Sequence, residues 1–112
     1  MNESQPMQPG PLAEKAISQQ LMLAIEGAQP SSTILSWLTK HPPAGFTLFR
    51  HHNVENPAQL RSLTAALQAA AAEAGAAGAG GGLPLLIGTD QEGGQLVALG
   101  DGTTAFPLSL IH

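Results

Sequence analysis

The chain has 112 residues, with no cysteine, 13 Gly, 9 Pro and only 11% charged residues. Four Lys and Arg against eight Asp and Glu give a formal charge of -4. The basic residues are scattered, which excludes a nucleic-acid partner bound by neutralising a run of phosphates. The lack of cysteine excludes a disulfide scaffold and a cysteine-ligated metal. No stretch reaches the roughly 18 consecutive apolar residues of a membrane span, and the first residues lack the basic and apolar regions of a signal peptide. A cytoplasmic protein with no membrane partner is therefore expected. Hydrophobic residues make up 43%, but much of that is Ala and aromatics are 4%, so each buried position removes little area from water.

Residues 1–11 are polar and interrupted by Pro6, Pro9, Gly10 and Pro11, which predicts a disordered leader. Ala13, Ile17, Leu21, Ala24 and Ile25 then recur every three to four residues, predicting one helix that Gly27 ends. Ser31 and Ser32 are N-cap candidates for a second helix carrying Ile34, Leu35 and Leu38, stopped at His41-Pro42-Pro43. Gly45 to Phe49 is a short apolar run with the character of a strand buried on both faces. Asn56 as N-cap, Pro57 at the first helical position and Leu60, Leu63 and Leu67 predict a third helix to about Ala72. Residues 74–82 are nearly all Gly and Ala, which predicts a flexible connection. Its Gly80-Gly81-Gly82 lacks a phosphate-loop lysine and precedes a strand, so it reads as linker. Leu83 to Thr89 predicts a second buried strand, its proline near the start where a missing ladder donor matters least.

Strand, helix and strand make a βαβ unit, and two uninterrupted apolar strands argue for a parallel sheet covered by helices. A complete parallel barrel takes on the order of 250 residues. The chain is therefore a very small open α/β domain or the first part of something larger.

In parallel sheets functional groups gather at the carboxyl ends of the strands. Two polar clusters fall there, Arg50-His51-His52-Asn53 after the first strand and Thr89-Asp90-Gln91-Glu92-Gly93-Gly94 after the second. The glycine pair permits a sharp turn and close approach, leaving Asp90 and Glu92 as acceptors suited to sugar hydroxyls. The same six residues also read as an ordinary polar turn. His51 and His52, taken as adjacent strand residues, point to opposite faces and do not share a metal. Trp37 reads as packing rather than as a sugar platform.

Taken in order, Gln20-Leu21-Met22, Gly45 to Asn53, Pro57-Ala58-Gln59-Leu60 and Pro84 to Gly94 resemble the start of glycoside hydrolase family 3, in its β-N-acetylhexosaminidase-like branch. The resemblance implies the N-terminal part of a (β/α)8 TIM barrel, incomplete, with about two parallel strands and three helices over residues 12–107. It implies a retaining hydrolase of terminal β-linked N-acetylglucosamine-type saccharides, working through a covalent glycosyl-enzyme without metal or organic cofactor. The aspartate opening this turn holds hydroxyls of the terminal sugar in the family, so the resemblance assigns substrate binding to Asp90. Many relatives continue with Arg-Val-x-Arg, the second arginine touching substrate, where this chain has Ala98. The Lys-His motif, the acid/base histidine and the nucleophilic aspartate all lie beyond the matched region. No catalytic residue is therefore expected within this chain, and the chain alone is expected to be inactive. Residues 108–112 depart from the family pattern and suggest a shifted frame or truncation. Two alternatives remain open on the sequence: a non-catalytic sugar-binding or interaction module, and a functionless truncated product.

Overall fold

In a computed structural model, which describes residues 4–77 and 82–107, strand β2 (Gly45–Leu48) is the centre of a three-stranded parallel sheet. Strand β1 (Met22–Ala24) pairs on one side, Leu23 opposite Phe46, and strand β3 (Leu86–Thr89) on the other, Ile87 opposite Phe46. The order β1-β2-β3 follows the chain without reversal. That progression, with helical crossovers between strands, is how a (β/α)8 wall is built, whereas a doubly wound sheet reverses its order.

The expected α/β class and the two strands hold, and the sheet has one strand more than expected. Helix α1 (Pro11–Ser18) stops seven residues before Ile25, and Leu21 to Ile25 leaves it to form β1. Leu21-Met22-Leu23-Ala24-Ile25 is a contiguous apolar run, and its spacing fits either period. Pairing with β2 decides between them, because it places Leu23 and Ile25 with Phe46 and Leu48 on one side of the sheet.

Helix α2 (Ser32–Leu38) starts where expected, with Ser31 Oγ accepting from Ile34 N at 3.2 Å. Its Leu38 is fully buried. Helix α3 (Arg50–Asn53) is a single turn after β2. Helix α4 (Pro57–Ala76) begins under the Asn56 cap, whose Oδ1 accepts from Gln59 N at 2.8 Å. It runs through Ala76, beyond the expected end near Ala72, because Ala70, Ala71 and Ala74 are buried and alanine has the highest helix propensity. Residues 74–76 of the flexible connection expected over residues 74–82 are therefore helical, and residues 78–81 of it lie outside the described part.

One core forms between the sheet and these two helices, from Ile25, Leu38, Phe46, Leu48, Leu63, Leu67 and Leu85 with the small Ala70 and Ala71. Gln68 fastens α4 to the start of β3, its side chain exchanging two 2.8 Å hydrogen bonds with the backbone of Leu85. The expectation of a strand buried on both faces holds for β2 and fails for β3, where Leu86 is 64% exposed. β3 is a sheet edge, and Leu86, like Met22, points away from the helices to the face that a barrel turns inward.

Candidate functional site

Each strand delivers its following segment to the same end of the sheet. β1 runs into residues 25–28, β2 into α3, and β3 into Asp90. Asn53 ties the first two together. It is fully buried, its Oδ1 accepts from Phe49 N at 2.8 Å, and its Nδ2 donates to Ile25 O at 3.0 Å and Gly27 O at 2.9 Å. Gln59 extends the tie, donating to Ala28 O at 2.5 Å and Asn53 O at 2.9 Å while its Oε1 accepts from Glu55 N at 2.9 Å. Thr89 Oγ1 donates to Leu48 O at 2.9 Å and locks the end of β3 to β2.

The Asp-Gln-Glu-Gly-Gly segment forms a small antiparallel hairpin, β4 (Gln91–Gly93) against β5 (Leu96–Val97). Gly93 at φ +84° and Gly94 at φ +58° occupy the left-handed region, and a side chain on Gly93 would stand 2.6 Å from Pro107 O. Both functions expected of the glycine pair, a sharp turn and close approach, are thus used by the protein's own backbone. Gln91 exchanges two hydrogen bonds with the Leu99 backbone, and Ala98 N donates to Asp90 O at 3.3 Å. Arg50 reaches across from α3, its Nη1 donating to Val97 O at 3.1 Å.

Between α3 and the hairpin lies a pocket of about 250 Å³, lined by Arg50, His51, His52, Asp90, Val97 and Ala98 among others. The Asp90 side chain is exposed, and among the described residues its carboxylate makes no hydrogen bond. Glu92 is exposed on β4 and does not line the pocket, so only one of the two expected carboxylates reaches it. His51 and His52 sit on a helical turn, not a strand, and both face the pocket, which corrects the expectation that they diverge. Among the described residues, no three His, Asp or Glu side chains converge to hold a metal ion. Asn53, grouped by sequence with the rim, turns inward as a structural anchor. Arg50, placed in that cluster without a role, is the residue joining it to the second cluster. Its signal was available only as a long flexible cation at a strand end. Trp37 is 38% exposed and lies on α2 against His41, with ring centroids 5.6 Å apart, neither in the core nor near the pocket.

A parallel sheet in chain order, helices on one face and a pocket at the carboxyl ends define the opening βα units of a parallel α/β barrel. Residues 12–111 match the glycosyl hydrolase family 3 N-terminal domain, and the chain belongs to that family. It is 38% identical over 87 residues to a beta-hexosaminidase of Nitrosomonas eutropha and 36% to one of Alkalilimnicola ehrlichii. Each alignment covers 78% of this chain and 22% of the relative, so the chain spans under a quarter of the length of these relatives. Among solved structures it superposes on a fungal multi-domain GH3 beta-N-acetylglucosaminidase with a TM-score of 0.74 and 34% identity, covering 87% of this chain and 11% of that one. It also superposes on NagZ from Neisseria gonorrhoeae, crystallised with N-trifluoroacetyl-D-glucosamine, with a TM-score of 0.61 and 28% identity. That match covers 78% of this chain and 22% of NagZ.

Proposed function

We propose that these residues form the sugar-gripping part of a retaining β-N-acetylhexosaminidase barrel, with Asp90 accepting hydrogen bonds from hydroxyls of a terminal N-acetylglucosamine-type sugar. The observation that carries this reading is the Asp90 carboxylate, unengaged by protein among the described residues, at a pocket on the carboxyl end of the sheet. A carboxylate accepts two or more hydroxyl hydrogen bonds, and such charge-assisted bonds are about twice as strong as neutral ones. The related NagZ, crystallised with an N-acylated glucosamine, supports the ligand class. Retaining hydrolysis needs a nucleophile and an acid/base flanking one bond. The family resemblance places both outside the matched region, so the 112-residue chain holds the sugar without cleaving it.

The test is a titration of the isotope-labelled chain with N-acetylglucosamine, followed through the backbone amides of residues 89–98. Saturable shifts are expected there, weakened about tenfold or more in Asp90→Asn, together with no release of a chromogenic β-N-acetylglucosaminide by the chain alone. Shifts that ignore the Asp90 substitution would remove that residue from the site.

A further inference from the structure

The Asp90 pocket has a second charged wall. Arg50 lines it as Asp90 does, and its guanidinium spends one donor on Val97 O of the hairpin. An arginine carries five donors in a planar fork. Among the described residues, no carboxylate lies within ion-pairing distance of this one, Asp90 included, although both line the same pocket. Ala98, 7% exposed, lines the same pocket and offers no polar side chain of its own. Bonding to Val97 O restricts where the guanidinium sits, which lowers the ordering cost of engaging its remaining donors.

We infer that Arg50 is a specificity-determining residue of this pocket. It selects a sugar that presents an sp2 acceptor oxygen, an amide carbonyl or a carboxylate, in addition to the hydroxyls held by Asp90. A hydroxyl-only sugar engages Asp90 and leaves the remaining Arg50 donors to water. A sugar with a planar acceptor satisfies both groups, and a carboxylate matches the guanidinium fork best. The pocket volume of about 250 Å³ sits just below the roughly 300 Å³ where drug-sized pockets begin, which suits one substituted ring.

This inference rests on the sugar-binding reading above, and the experiment separates the two. The chain is titrated with glucose, N-acetylglucosamine and glucuronate, in wild type, Arg50→Gln, Arg50→Lys and Asp90→Asn. In wild type, N-acetylglucosamine binds at least about fivefold tighter than glucose, and glucuronate tighter than glucose by a similar or larger factor. Arg50→Gln brings both ratios to about one, whereas Arg50→Lys keeps the preference for glucuronate. Loss of the Val97 tether alone would weaken all three sugars by a common factor and leave the ratios intact, which overturns the inference. Equal affinities in wild type also overturn it, even where Asp90→Asn weakens every sugar and the sugar-binding reading survives. Absence of any saturable binding in wild type sinks both.

Discussion

Asn53 is the side chain on which the geometry of the rim depends most, and its substitution tests that dependence. Three hydrogen bonds of 2.8 to 3.0 Å converge on a fully buried amide. Each contributes about 1 kcal/mol net, and a buried group left without its partner costs roughly 1–3 kcal/mol. Phe49 N and Gly27 O are part-buried and recover some solvation, while Ile25 O is fully enclosed. Asn53→Ala therefore loses about 3 kcal/mol. Asn53→Asp keeps the volume and the acceptor for Phe49 N, but it turns a carboxylate toward two carbonyl oxygens in place of two donors. It is expected to lose at least as much as the alanine variant, a result that cavity formation alone does not give. Urea unfolding followed by circular dichroism reads both. At roughly 1–3 kcal/mol per molar urea, the midpoint for Asn53→Ala falls by about 1–3 M. A loss below about 1 kcal/mol, or an aspartate variant as stable as wild type, refutes the assignment of Asn53 as the anchor.

Two further substitutions probe the elements on either side of the pocket. Gly93→Ala forces a left-handed φ of +84° on an L-residue and sets its Cβ 2.6 and 2.7 Å from two backbone oxygens. The left-handed backbone alone costs roughly 1–2 kcal/mol, so exchange of the Gly94 amide, bonded to Phe106 O, is expected to accelerate at least about tenfold; unchanged exchange would show that the hairpin relaxes freely. Gln68→Ala removes both bonds to the Leu85 backbone and is expected to cost about 2 kcal/mol at the edge of the sheet, with a melting temperature lower by several degrees. A melting temperature within one degree of wild type would mean that water replaces the side chain.

The helices announced themselves where a cap and a stripe coincide. Ser31 before Ile34, Leu35 and Leu38, and Asn56-Pro57 before Leu60, Leu63 and Leu67, both start their helices as written. Strand β1 did not, because five contiguous apolar residues satisfy a 3.6-residue period as readily as a strand, and only pairing with distant residues 45–47 separates the two. The same limit hid the hairpin. Its turn was legible in Gly93-Gly94, yet the two-residue β5 is specified by Gln91 and Arg50 bonding to backbone several or many residues away. At the rim, Asp90 was legible from its place after an apolar strand. Asn53 and Arg50 were interchangeable members of a polar cluster until one helical turn sent them in opposite directions.

That turn divides the work among the polar residues at the carboxyl end of the sheet. Asn53 follows Arg50 by three positions, close to one helical period, yet the buried amide faces Ile25 and Gly27 while the guanidinium reaches Val97. The long arginine side chain makes this possible, since it leaves the helix axis and bends across to the hairpin. Asn53 and Gln59 spend nearly all their hydrogen-bonding capacity on backbone groups, and Gln91 does the same at Leu99. Their amides are consumed in fixing the loops. The backbone that carries the titratable groups around the pocket, Arg50, His51, His52 and Asp90, is thereby fixed by neutral neighbours, and among the described residues these groups make no hydrogen bond with one another. Had they been paired among themselves, a ligand would have to break an ion pair before binding. Among the described residues, the Asp90 carboxylate makes no hydrogen bond and the Arg50 guanidinium makes one, so both line the pocket with bonding capacity left for a polar ligand that carries donors and acceptors.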